Sequence, residues 1–178
     1  MSENIIASAT PASIENVITF ASLGLDPSIL KAVQEAGYTV PSPIQAQAIP
    51  AALAGQDLMA SAQTGTGKTA AFILPALQKL SVVSKVHGKG PRILVLTPTR
   101  ELAQQVSDAA NKYGKNMRVK VVSILGGMPY PLQNKLLSSP VDILVATPGR
   151  LIDHIERGRI DFSRLEMLVL DEADRMLD

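Results

Sequence analysis

Residues 62–69 read AQTGTGKT and directly follow a short apolar run, Asp57 to Ser61. Gly65 and Gly67 allow a tight turn whose backbone N–H groups point inward at an anion. Lys68 can reach the β- and γ-phosphates of a nucleotide, and Thr69 can offer its hydroxyl to Mg²⁺. The helical pattern that opens near Gly67 adds the positive end of a helix dipole. Ala62 stands where the general pattern G-x-x-x-x-G-K-[ST] has its first glycine, and Gln63, Thr64 and Thr66 complete the loop. A glycine-rich turn without a ligand is the competing reading; strand, turn, Lys-Thr and helix together favour a phosphate loop.

A second group of residues closes the chain. Met167–Asp174 reads MLVLDEAD. Asp171 ends a buried strand, where a carboxylate can hold Mg²⁺ largely through its waters. Glu172 beside it can orient or deprotonate an attacking water. Alone, an Asp-Glu pair after an apolar run is as often structural. With the phosphate loop in the same chain it becomes the metal-and-base pair, so Lys68, Asp171 and Glu172 form the catalytic set, with Thr69 and Asp171 the metal-side groups.

Residues 93–100 read ILVLTPTR and residues 143–150 read ILVATPGR. Each is an apolar strand, a Thr-Pro turn and an arginine near a helix start. In a parallel sheet both turns fall at the carboxyl ends of strands, the edge where ligands bind. Pro98, Thr99 and Arg100 in one turn, and Thr147, Pro148, Gly149 and Arg150 in the other, offer hydroxyls, backbone N–H groups and guanidinium groups. Two such grips suit a polymer of phosphates. Gly126 and Gly127, after another apolar run, add a third turn with bare backbone. Singly, each is also an ordinary strand-to-helix turn; the repetition favours the grip.

These groups need a scaffold. Apolar runs at Leu58–Ala60, Ile93–Leu96, Val119–Leu125, Ile143–Ala146 and Met167–Leu170 alternate with helical patterns at Lys68–Leu80, Arg100–Tyr113, Leu132–Leu137 and Leu151–Arg157. Continuous apolar runs fit parallel strands covered on both faces, and the alternation argues for a doubly wound α/β sheet. Ahead of it, Asp26 and Pro27 open a helix that stops at Gly37, and a second helix runs from about Ile44 to Leu53. Residues 1–19 read as a flexible leader, and residues 84–91 as a polar surface loop. His154, on a charged helix, and His87, in that loop, read as solvated. The six methionines read as core filling and Arg157-Gly-Arg159 as surface charge.

The chain has 178 residues, 46% of them apolar and 19% charged, which suits one globular domain. A net charge of +1 means that any nucleic-acid face must be local. There are no cysteines, which excludes disulfides, zinc-thiolate sites and cysteine nucleophiles and fits a reducing cytoplasm. No apolar run is long enough to span a bilayer. Aromatics are 3%, with no Trp, so stacking platforms for single-stranded bases are scarce and a nucleic acid would be held by its backbone.

In combination these motifs resemble the DEAD-box RNA helicase family, from Phe20 to the end of the chain. AQTGTGKT matches that family's own phosphate loop, so Ala62 is expected there. PTRELA at 98–103, Gly126-Gly127 and TPGR at 147–150 resemble its RNA-backbone motifs, and Asp171-Glu-Ala-Asp174 the motif that names it. GYTVPSPIQ at 37–45, within a segment spanning 18–46, resembles its adenine-recognition segment. By that resemblance Gln45 reads the adenine edge and Phe20 stacks on the ring; the residue types alone mark Gln45 only as a polar group at a helix start. The flanks are similar to bacterial, RhlE-type members. The resemblance implies a RecA-like domain, a P-loop NTPase, that uses ATP and Mg²⁺, grips single-stranded RNA through its sugar-phosphate backbone and closes against a second RecA-like domain.

The chain stops at Asp178. The resemblance therefore leaves the second domain and its arginine finger without a counterpart, and implies nucleotide binding with little turnover by these residues alone. It also places a further strand, expected after residue 178, between the Asp-Glu strand and the phosphate-loop strand. The expectation is a fold apparently truncated after the DEAD motif. It carries a gap in mid-sheet to be filled by a later segment or by exchange between copies. Two other functions compete: a P-loop DNA translocase, and a non-catalytic nucleotide-gated RNA clamp. The segment at 37–45 speaks against the first, and the intact Lys68, Thr69, Asp171 and Glu172 against the second.

Overall fold

A computed structural model describes residues 17–56, 58–60 and 67–176, with 58–60 described as backbone only. Ala62, Gln63, Thr64, Gly65 and Thr66, most of the phosphate loop, lie outside the described residues, as does most of the leader.

Two helices precede the sheet. α1 (Pro27–Glu35) starts as the sequence expects: Asp26 accepts from the Ser28 N–H at 3.0 Å, and Pro27 occupies the first turn, where its missing N–H costs nothing. α2 (Pro43–Leu53) opens with a capping box. Ser42 Oγ accepts from Gln45 N at 3.4 Å, and Gln45 Oε1 accepts from Ser42 N at 2.9 Å. Strands and helices then alternate: β1 (Leu58–Ala60), α3 (Lys68–Leu80), β2 (Ile93–Leu96), α4 (Arg100–Tyr113), β3 (Val121–Ile124), α5 (Tyr130–Leu137), β4 (Ile143–Ala146), α6 (Pro148–Glu156) and β5 (Met167–Asp171). The third strand is shorter than its apolar run. α5 starts two residues early, because Pro129 and Pro131 suit a helix entry.

The sheet has five parallel strands in the order β1-β5-β2-β4-β3. Alternation along each strand divides the core in two. Ile93, Val95, Ile143, Val145, Met167 and Val169 pack with α1 to α4 on one face. Leu94, Val122, Ile124, Leu144 and Ala146 pack with Leu151 of α6 and Leu136 and Leu137 of α5 on the other. Ser107 and Ser123 share a hydroxyl hydrogen bond at 2.6 Å that ties α4 to β3.

The expected gap is absent from the described sheet. β1 lies directly on β5, pairing Leu58 with Val169, Met59 with Leu170 and Ala60 with Asp171. The edge of β5 carries N–H and C=O groups that must find partners, and β1 supplies them. The other strands keep the expected arrangement, so every strand ends on one edge, above which both groups of candidate residues sit.

Candidate functional site

The candidate nucleotide half forms where α3 begins beside the end of β5. Gly67 caps α3 with φ +108°, a conformation that a side chain would strain. A Cβ here would also stand 2.9 Å from Gln45 Nε2 and 3.0 Å from Ser42 Oγ. Gln45 is buried and its Nε2 donates to the Gly67 carbonyl at 3.1 Å. The start of α2 is thereby fastened to the end of the phosphate loop. One N–H and one lone pair of the Gln45 amide remain for a ligand.

Lys68, next in sequence, is 5% exposed. Its Nζ lies 3.1 Å from Asp171 Oδ1 and 4.0 Å from Glu172 Oε1. Consecutive residues of an extended strand point to opposite faces, so Asp171 and Glu172 would ordinarily diverge. Glu172 has φ +53°, and is the sole non-glycine with positive φ among the described residues. That turn breaks the alternation and brings both carboxylates to one ammonium. Such a conformation costs about 1 kcal/mol or more and is held only where the surroundings enforce it. Arg175 contributes here, its Nη1 donating to Glu172 Oε2 at 2.8 Å. Burial pushes the Asp171 carboxyl above the usual carboxylate range, and the Lys68 ammonium opposes the shift. Thr69 follows Lys68 in the first turn of α3, half-buried.

Phe20 does not offer the stacking face expected of it. It is 2% exposed and belongs to the core, in a short 3-10 turn (Phe20–Leu23). Its N–H donates to Thr39 O at 3.0 Å, closing this turn over the end of α1. An apolar ring in that position gains more from burial than from an exposed face.

The other half follows β2, β4 and β3 along the same edge. Thr99 caps α4, its Oγ1 accepting from Leu102 N at 3.2 Å, and Pro98 is half-buried. Arg100 is exposed and its guanidinium lies against Gly127, where a Cβ would stand 3.3 Å from Nη1. Gly126, Gly127 and Gly149 are exposed, so their backbone is open to solvent. Thr147 starts α6 with no side-chain cap bond, leaving its hydroxyl uncommitted to the helix, and Pro148 occupies the first turn. Arg150 turns inward: its Nη1 donates to Met128 O at 3.0 Å and to Gln133 Oε1 at 3.2 Å, and its guanidinium covers the Tyr130 ring at 4.2 Å. The structure thus brings all three strand-end turns together.

His154 overturns its expected solvated state. It is 0% exposed, with Nε2 2.7 Å from Gln133 Oε1, while His87 is exposed as expected. Gln133, likewise 0% exposed, donates from Nε2 to Leu125 O at 2.9 Å.

The family model for DEAD/DEAH box helicase matches residues 42–178. This chain belongs to that family. It is 51% identical over 162 residues to the ATP-dependent RNA helicase SrmB of Escherichia coli (strain K12), a match covering 91% of this chain and 36% of that protein. It is 54% identical over 160 residues to the ATP-dependent RNA helicase DeaD of the same strain, covering 89% of this chain and 25% of the relative. A DeaD of Mycobacterium tuberculosis (strain ATCC 25618 / H37Rv) is 50% identical over 160 residues, covering 89% and 28%. The chain therefore spans between a quarter and about a third of the length of these curated relatives. As a DEAD/DEAH box domain it carries the RecA-like α/β fold.

Three residues with close contacts to the candidate site residues are not apparent from their types. Arg175 could have been found from its i, i+3 spacing to Glu172 at a turn. Gln133 and His154 carry no local signal, because their partners come from other elements.

Proposed function

We propose that this chain is the ATP-binding RecA-like domain of an ATP-dependent RNA helicase, with nucleotide at the β1/β5 end of the sheet edge and RNA backbone at the β2/β4/β3 end. The observation that carries the reading is the meeting of Lys68, Asp171 and Glu172 at the start of α3, beside Gln45 fastened to Gly67.

In this reading Lys68 exchanges part of its pairing with Asp171 for the nucleotide phosphates. Gln45 uses its remaining N–H and lone pair on an adenine edge, which presents one acceptor and one donor. Ser42 and the capping box hold the Gln45 amide in orientation while it does so. The donor set suits Mg²⁺: a carboxylate from Asp171 and a hydroxyl from Thr69 are hard oxygen ligands, and Mg²⁺ takes one or two carboxylates with phosphates and water. When bound, Mg²⁺ neutralises charge on the transferring phosphoryl group. No cluster of three metal-ligating side chains occurs among the described residues, and a site of this kind requires none. Glu172, turned toward Lys68 and held by Arg175, orients an attacking water and accepts its proton.

The RNA end is built from backbone N–H groups around Gly126, Gly127 and Gly149, the Thr147 hydroxyl and the exposed Arg100 guanidinium. These groups recognise phosphate and sugar rather than base edges, which yields sequence-independent binding. Few aromatic residues are available for base stacking.

The test uses the full-length protein. Glu172→Gln lowers RNA-stimulated ATP hydrolysis by a factor of about 10² or more, in the range of general-base loss, while ATP affinity stays within about twofold. Unchanged turnover would remove Glu172 as the base. Stimulation by DNA equal to that by RNA would favour a DNA translocase instead.

A further inference from the structure

We propose that Gln133 and His154 are positioning residues for the RNA end of the edge: a buried relay that sets the Gly126–Gly127 turn and the Arg150 guanidinium against each other. The inference rests on the RNA-binding reading above and deepens it.

Gln133 sits on α5 and His154 on α6, both fully buried on the side of the sheet away from α3. The Gln133 amide has two ends with different tasks. Nε2 donates to Leu125 O at 2.9 Å, the carbonyl immediately before Gly126. Oε1 accepts from Arg150 Nη1 at 3.2 Å and faces His154 Nε2 at 2.7 Å. Because Nε2 of Gln133 is the donor to a carbonyl, its Oε1 must be the acceptor, and His154 must carry its proton on Nε2. Nδ1 of His154 then remains a buried acceptor with no hydrogen-bond partner.

A histidine with one nitrogen unpartnered in the interior is a poor choice for stability alone. It is a good choice for fixing one donor direction, because its ring cannot rotate its N–H away as a hydroxyl can. The fixed donor locks Oε1, and the locked Oε1 leaves Arg150 one place to go. Arg150 Nη1 also donates to Met128 O at 3.0 Å, on the far side of the glycine pair from Leu125. The two glycines are therefore strapped at both ends, through Gln133 on one side and Arg150 on the other. The Tyr130 ring completes the seat: Arg150 lies over it at 4.2 Å and Arg157 at 4.7 Å, and its hydroxyl donates to Asp153. Arg150 thus acts as a strut for the turn, while Arg100, against Gly127, is exposed.

The experiment compares Gln133→Leu, His154→Leu and His154→Gln in the full chain, reading single-stranded RNA affinity at low salt, ATP affinity, and the backbone amide resonances of Gly126 and Gly127. The leucine variants are expected to weaken RNA binding about tenfold, the effect of one lost buried hydrogen bond, with ATP affinity unchanged. His154→Gln, which restores an N–H of similar reach, is expected to stay within about threefold of the original and to return both glycine resonances to their places. Unchanged RNA affinity in both leucine variants, a parallel fall in ATP affinity, or no rescue by glutamine would overturn the proposal. Should the leucine variants fail to fold, the nitrogen spectrum of His154 in the unaltered chain decides: a proton on Nε2 supports the relay and a proton on Nδ1 refutes it. If the unaltered chain binds no RNA, the RNA reading fails. The relay is then judged by the glycine resonances alone, displaced in His154→Leu and restored in His154→Gln, or refuted if they do not move.

Discussion

Gln45 shows how one side chain can serve three structures at once. Its amide closes the capping box of α2, holds Gly67 at the start of α3 and keeps one donor and one acceptor, which the proposed function gives to a base. Gln45→Ala is expected to lower stability by about 1 kcal/mol through the lost cap. It should also erase most of the preference for ATP over GTP, measured as the ratio of the two dissociation constants. A preference that survives intact would place adenine recognition elsewhere. Gly67 is constrained from the same direction. Gly67→Ala meets both a strained φ and the Gln45 amide at 2.9 Å, so it should cost more than about 1 kcal/mol in denaturant unfolding and weaken nucleotide binding with it. Glu172 marks the opposite case, where strain is kept because it delivers a second carboxylate to Lys68.

At the scale of elements, α5 and α6 do more than cover the sheet. Their buried pair is also a pH-sensitive part of the fold. Burial holds the His154 imidazole below its ordinary range. The nearby charges of Arg159, Arg150 and Arg157 push the same way, and Asp153 pushes against them. The unfolded chain, with an ordinary value of about 6.5, then binds a proton that the folded chain does not. Stability contributed at this site is present at pH 7.5 and is lost as pH falls below about 6.5. Denaturant melts at pH 7.5 and pH 5.5 should show a larger loss for the unaltered chain than for His154→Gln; equal losses would refute the assignment. Much of this level was legible beforehand. ILVL and ILVA are unbroken apolar runs ended by Thr-Pro, and β2 and β4 occupy those residues and no others. His154 was not legible, since three charged neighbours, Asp153, Glu156 and Arg157, disguise a helix face that buries it. Nor was the β1–β5 pairing, because strand order is decided by which edges must be satisfied and not by the strands' own residues. The burial of Phe20 is hidden in the sequence for a related reason: its ring suits a core and a stacking face equally well, and the turn around it decides.

At the scale of the whole chain, the proposed function divides the work along one edge. All five strands are parallel, so their carboxyl ends form a single rim, and the order β1-β5-β2-β4-β3 sets the Lys68, Asp171 and Glu172 group beside the three strand-end turns. No helix among the described residues is long and apolar enough to cross a membrane. These 178 residues carry a net charge of +1, so under the proposed function the attraction they offer to RNA is local to this rim. The central claim is that one rim holds two ligands at two ends. Backbone amide resonances of the full chain, followed while ATP with Mg²⁺ and then single-stranded RNA are added separately, test it most directly. ATP is expected to shift residues 45, 67–69, 171 and 172, and RNA residues 99, 100, 126, 127, 147, 149 and 150. RNA shifts confined to the nucleotide group, or spread over the opposite edge of the sheet, would contradict it.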